Sequence, residues 1–155
     1  MPTTPDIVQK SLVFSGEFRP VLDGKKRVTI PARWRSEALE DLYIIKSLDR
    51  GCLAAMPQPV LEAMGEKAAS LAPTVEAHQK FMDHFFASAV NCPIDAQGRM
   101  VVPDEFCRFA RIEKEAELVL AGSGAKFDIW NPDGWRQCQE ADTATYRSTL
   151  KSLGL

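Results

Sequence analysis

One segment of this chain is written twice. Asp23-Gly-Lys-Lys-Arg27-Val-Thr-Ile-Pro31 is matched by Asp95-Ala-Gln-Gly-Arg99-Met-Val-Val-Pro103 at an offset of 72 residues. Trp34 and Phe106 follow at the same offset, and both Tyr43-Ile-Ile45 against Leu118-Val-Leu120 and Cys52–Pro57 against Phe127–Pro132 follow at 75. The second copy therefore carries three extra residues, and one unit spans about 45 residues, roughly 16–60 and 88–135. A sheet unit of that size buries too little apolar surface to stand alone. Two tandem units packed face to face as a pseudo-symmetric pair remove the difficulty, so the repeat constrains the architecture more than any other feature.

Each copy has the same local signals. An alternating stretch runs into Asp-x-x-x-Arg, where Gly24 or Gly98 and polar neighbours mark a tight turn. Val28–Ile30 and Met100–Val102 read as the next strand. Pro31 and Pro103 end the ladder and open a short helix, with Asp104 and Glu105 at the dipole-favoured end. Tyr43–Lys46 and Leu118–Leu120 form a third strand, and Cys52–Met56 and Phe127–Trp130 a fourth. Val60–Leu71 and Thr74–Asn91 read as helices broken by Pro73, the second with Phe81, Phe85 and Phe86 at helical spacing, read as a face packed on the core, with a partner-binding face as the alternative. Asp133–Leu153 reads as a closing helix. The expected class is α+β: a flexible extension at 1–12, a first unit at 13–60, a helical connector at 61–87, a second unit at 88–135 and a helical tail at 136–155.

Cys52, Cys92, Cys107 and Cys138 have neither zinc-site nor disulfide-framework spacing, and His78 and His84 are not a helical metal pair. No metal, cofactor or small-molecule substrate is expected, and no nucleophile–base pair or phosphate loop suggests an enzyme. No apolar run reaches 18 residues and Met1–Asp6 has no signal-peptide pattern, so a cytoplasmic protein without membrane contact is expected. The net charge of −2 argues against a nucleic-acid binder until it is resolved along the chain. Between Arg19 and Arg35 lie six basic residues and a single acid, Asp23. In the second copy the bases Arg99, Arg108, Arg111 and Lys114 balance Asp95, Asp104, Glu105 and Glu113.

Phe14–Phe18, Leu22–Pro31, Cys92–Pro103 and Phe127–Trp135 together resemble the MraZ family, over about residues 13–135. The resemblance implies two tandem AbrB-like, swapped-hairpin-like units. It also implies a ring-shaped homo-oligomer, with an octamer expected. Such rings bind short tandem repeats in double-stranded DNA at the promoter of the cell-division and cell-wall gene cluster, which implies a nucleoid-associated protein. The family motif maps onto Asp23, Lys25 and Arg27 and onto Asp95 and Arg99. Three departures stand out: Lys26 where the first motif usually has glycine, Gln97 where lysine is frequent in the second, and residues 1–12 ahead of the usual start.

Arg27, Lys25, Lys26, Arg33, Arg35 and Arg99 are the candidate DNA contacts. An arginine just past a turn offers a planar fork to a phosphate or to guanine. Asp23 and Asp95 are read as turn-orienting groups that accept turn amides or hold the guanidinium. Lys25, Lys26, Arg33 and Arg35 suit phosphates, although Glu37 is an alternative partner for Arg33 or Arg35. The charge difference between copies leads to the expectation that copy one meets DNA and copy two supports assembly. The alternatives are an AbrB-like antitoxin or regulator, which the duplication disfavours, and a protein-interaction scaffold without DNA binding.

Overall fold

The computed structural model describes residues 13–36 and 39–155. The extension expected at 1–12 and Glu37 lie outside those residues. In chain order the elements are β1 (Glu17–Phe18), β2 (Arg27–Thr29), a 3-10 turn (Ala32–Trp34), β3 (Asp41–Ser47), β4 (Cys52–Met56), α1 (Gln58–Leu71), α2 (Val75–Ser88), β5 (Val90–Pro93), β6 (Arg99–Val101), α3 (Asp104–Ala110), β7 (Val119–Gly122), β8 (Phe127–Trp130) and α4 (Pro132–Ser152). The class is α+β. Six strands form one antiparallel sheet in the order β1-β7-β8-β4-β3-β5, while β2 and β6 form a separate ribbon.

The two halves share their strands. β1 of the first half pairs with β7 of the second, and β5 of the second pairs with β3 of the first. In the ribbon, Arg27 faces Val101, Val28 faces Met100 and Thr29 faces Arg99. Exchanging the copies at their offset of 72 leaves this register unchanged. The flanking hydrogen bonds are reciprocal as well: the Ile30 amide donates to Gly98 O and the Val102 amide to Lys26 O, both at 2.8 Å. The ribbon therefore has a local two-fold relation centred on the Val28–Met100 pair.

Burial explains the alternation. Val28, Ile30, Met100 and Val102 point inward and join Leu42, Ile44, Leu53, Leu118, Leu120, Phe127 and Ile129 in the main core. Trp34 and Phe106, the aromatic pair following the two prolines, are both buried. Trp34 packs edge-on to Phe14 at 5.6 Å and against Phe127 at 4.9 Å, and its indole N–H donates to Ser15 O at 2.9 Å. Each buried aliphatic or Phe side chain contributes about 1.5–3 kcal/mol. β4 and β8 are covered on both faces: Ala54 and Met56 meet Leu61 below the α1–α2 hairpin, and Cys52, Val119, Ala121 and Trp130 meet Trp135 and Cys138 at the start of α4.

Helix starts follow their caps. Thr74 Oγ1 accepts the Ala77 amide at 3.0 Å and Asn131 Oδ1 accepts the Gly134 amide at 2.7 Å. The connector's second helix stops at Ser88, not Asn91, because β5 takes Val90–Pro93 into the sheet beside β3. The three extra residues of copy two fall where a three-residue 3-10 turn is replaced by the seven-residue α3. None of the helices among the described residues is long and apolar enough to cross a membrane, and no group of three metal-ligating side chains forms among them.

Candidate nucleic-acid interface

The two Asp-x-x-x-Arg segments fold into the same turn. Asp23 Oδ1 accepts the amides of Lys25 at 2.9 Å and Arg27 at 2.8 Å, and its Oδ2 accepts Arg27 Nε at 2.7 Å. Asp95 does the same with the amides of Gln97 and Arg99, both at 2.9 Å, and with Arg99 Nε at 3.0 Å. One carboxylate thus closes the turn and fixes the arginine, which is why the spacing is four. Both Asp carboxyls lie below the usual carboxylate range. The chief cause is the amide of the motif arginine, with the guanidinium and a turn amide adding to it against the penalty of burial.

The position before each arginine needs a left-handed backbone. Gly98 has φ +80° and Lys26 has φ +59°, so the missing glycine in the first motif leaves the turn unshifted and puts a lysine in a conformation that costs L-residues about 1–2 kcal/mol. Lys26 Nζ donates to Asp104 at 2.6 Å, tying the first turn to α3, and Lys46 Nζ donates to Glu105 at 2.5 Å. Those two acids occupy the helix-dipole position, and their carboxyls are held low first by their lysine partners. Sequence reasoning missed this clamp. Its one signal was an acidic pair in a first turn, which does not say which lysine will reach it.

Arg27 and Arg99 lie on the same outer face of the ribbon. They are diagonal neighbours across the β2–β6 ladder, with Cα atoms about 7–8 Å apart. Their side chains are 27 % and 31 % exposed, so accessibility does not separate the copies. Nε of each is engaged by its aspartate, and Arg99 Nη2 makes one long hydrogen bond of 3.4 Å to Gln97. Thr29 and Val101 are exposed between the arginines, and Lys25 is exposed at the first turn. Arg33 sits elsewhere, its guanidinium 5.6 Å from the Phe18 ring centre and 3.5 Å from Ser15 Oγ. Arg35 packs over Gly98, and its Nε is enclosed without an acceptor among the described residues. The structure therefore brings together Arg27, Arg99, Asp23, Asp95 and Lys25, draws Lys26 into an ion pair, and sets Arg33 and Arg35 at the margins.

A family model described as "MraZ protein, putative antitoxin-like" matches residues 85–151. Among the curated relatives, the "Transcriptional regulator MraZ" of Carboxydothermus hydrogenoformans is 33% identical over 141 residues, which cover 91% of this chain and 96% of the relative. The chain belongs to the MraZ family. MraZ proteins of Pelotomaculum thermopropionicum, 36% identical over 91% of this chain and 95% of the relative, and Moorella thermoacetica, 35% identical over 83% and 88%, carry the same name. In this member of the family the paired turns are the one place among the described residues where two arginines are held side by side on an outer strand surface.

Proposed function

We propose that this chain is a transcriptional regulator that binds double-stranded DNA through the β2–β6 ribbon and its two flanking turns. The observation that carries this reading is the placement of Arg27 and Arg99 on one exposed face, each braced by its own aspartate. A two-stranded ribbon fits the major groove, and a braced arginine offers its fork to guanine or phosphate without first losing rotamer freedom. Lys25 contacts the phosphates on one side. The names of the relatives support a role in transcription.

The rest of the reading extends the family resemblance. The units at 13–60 and 88–135 are AbrB-like swapped hairpins, with a connector at 61–87 and a tail at 136–155. Copies assemble into a ring, with an octamer expected, that binds short tandem repeats in the promoter of the cell-division and cell-wall genes, in the cytoplasm at the nucleoid. A net charge of −2 and one small basic face per chain give one copy little hold on DNA, whereas joined copies raise effective concentration. Because both motif arginines share the face, both are assigned to DNA, in place of the division of labour suggested by charge alone.

The test is operator binding measured across a salt series. Arg27→Ala and Arg99→Ala should each cost about 1–3 kcal/mol per engaged subunit if each reads a base edge. Lys25→Ala should weaken binding to all sequences alike and lower the salt slope by about one for each phosphate no longer neutralised. Unchanged affinity in both arginine variants, with the fold and assembly intact, would reduce the motif to a turn-closing ion pair.

A further inference from the structure

Two helical surfaces are left unused by the sheet, the core and the ribbon. Among the described residues α4 is anchored at its start, where Trp135 and Cys138 pack against the Trp130 cluster, and none of its residues is fully buried. Farther along, Thr143, Tyr146, Leu150 and Leu153 follow one another at steps of three, four and three, the spacing of a helix-packing seam. Tyr146 is 64% exposed and Leu153 68%. The only charged side chains after Asp142 are Arg147 and Lys151, both basic.

The α1–α2 hairpin has the complementary character. No residue of α2 is fully buried, and Leu71 and Val75 are exposed at the hairpin tip. Between the helices runs a groove of about 300 Å³ with Gly65, Ala69, Met82 and Phe86 on its apolar lining and Glu62 and Glu66 beside them. Gly65 lets Phe86 press against α1 in the floor of this groove, since a Cβ there would fall 2.6 Å from the ring. Residues 58–89 carry four acids against Lys67 and Lys80, and Lys80 is already paired with Glu76 at 3.1 Å.

We propose that the last three turns of α4 dock along the α1–α2 groove of a second copy of this chain, with Tyr146, Leu150 and Leu153 on the apolar lining and Arg147 and Lys151 against Glu62 and Glu66. This rests on the ring reading above and names the surfaces that would form the joint. Pairing of α4 with another α4 is disfavoured because it would bring Arg147 and Lys151 of both copies together, with no acid after Asp142 to offset them. A joint between two different surfaces is head-to-tail, the kind that closes into a ring when its rotation divides the full circle.

The test is sedimentation velocity over a concentration series on the full-length chain, with thermal unfolding as a check that each variant folds. Arg147→Glu with Lys151→Glu should weaken association by at least about tenfold, and Glu62→Lys with Glu66→Lys by a similar factor. All four reversals in one chain should restore association to within about threefold of the original. Wild-type assembly by the Arg147/Lys151 variant, or a fourfold variant no better than the doubles, overturns the docking and leaves the ring reading standing. A wild-type chain that stays monomeric at every concentration overturns the ring reading and the docking with it.

Discussion

Gly98→Ala should destabilise the protein by about 2–5 kcal/mol, with much of that loss depending on Arg35. The backbone contribution comes from φ +80°, which costs an L-residue about 1–2 kcal/mol. The second contribution is steric. A Cβ at Gly98 would overlap the Arg35 guanidinium carbon and Nη1 and would lie 2.8 Å from Nε, which is itself enclosed. Forcing a packed group aside costs about 1–3 kcal/mol. In an Arg35→Ala background only the backbone strain remains, so Gly98→Ala should then cost about 1–2 kcal/mol. The coupling between the two sites is the difference, about 1–3 kcal/mol. Urea unfolding followed by tryptophan fluorescence at one fixed protein concentration measures all four corners of this cycle. Gly24→Ala is the control, since Gly24 lacks a positive φ and its nearest neighbour is Glu115 Oε1 at 3.2 Å; it should stay within about 0.5 kcal/mol of wild type. An equal loss from Gly98→Ala in both backgrounds would refute the claim that Arg35 is seated on this turn.

Asp23, Asp95, Asp104 and Glu105 all titrate lower in the folded protein than in the unfolded chain, so the stability they contribute is complete above the unfolded-chain carboxyl range and is lost as pH falls through the folded values. Urea midpoints should therefore drop on acidification, and Asp23→Asn with Asp95→Asn should flatten the drop; an unchanged acid limb would contradict it. Burial pushes the Cys52 and Cys92 thiols up to about 11, so a thiol reagent at pH 8 should modify the half-buried Cys138 first, and equally rapid labelling of a second cysteine in the native protein would count against this. Asp128, 3% exposed, accepts from Arg50 at 3.0 Å and Lys126 at 2.8 Å, and Asp128→Ala should cost about 2–4 kcal/mol in chemical denaturation, less than a fully buried pair because Arg50 is partly solvated. A loss under about 0.5 kcal/mol would show that the two cations find other partners.

The repeat was legible because both copies meet the same physical demand. Asp-x-x-x-Arg needs an acceptor at the start of the turn and a guanidinium past it, and Val28 and Met100 must face inward wherever the flanking residues face out. Which strand pairs with which was not legible. Periodicity places β1 and β5 in alternating stretches, but only three-dimensional packing sends each to the sheet of the other half. Charge along the chain does not show which of the bases already have partners. Counting bases between Arg19 and Arg35 treats them alike, whereas Lys26 is paired with Asp104 from the other half, Arg35 lies over Gly98, and Arg33 stays exposed beside Phe18. The same count set Arg99 against four acids, of which Asp95 braces it in the turn while Asp104 and Glu105 pair with Lys26 and Lys46 of the first half.

The exchange of strands between halves also bears on synthesis. β2 has no ladder partner until β6, 72 residues later, leaves the ribosome, while β3 and β4 pair with each other but leave their outer edges open until β5 and β8 arrive. At about 5–20 residues per second that delay is roughly 4–15 s, against microseconds for an isolated hairpin to close. Throughout it the nascent first half exposes unsatisfied strand edges, and the most similar edge nearby on a polysome is the first half of the next nascent chain. The register Arg27–Val101, Val28–Met100, Thr29–Arg99 would be imitated by two first halves meeting as Arg27–Thr29, Val28–Val28 and Thr29–Arg27. The covalent link to a second copy turns that intermolecular encounter into an intramolecular one, and slow translation reopens the competition.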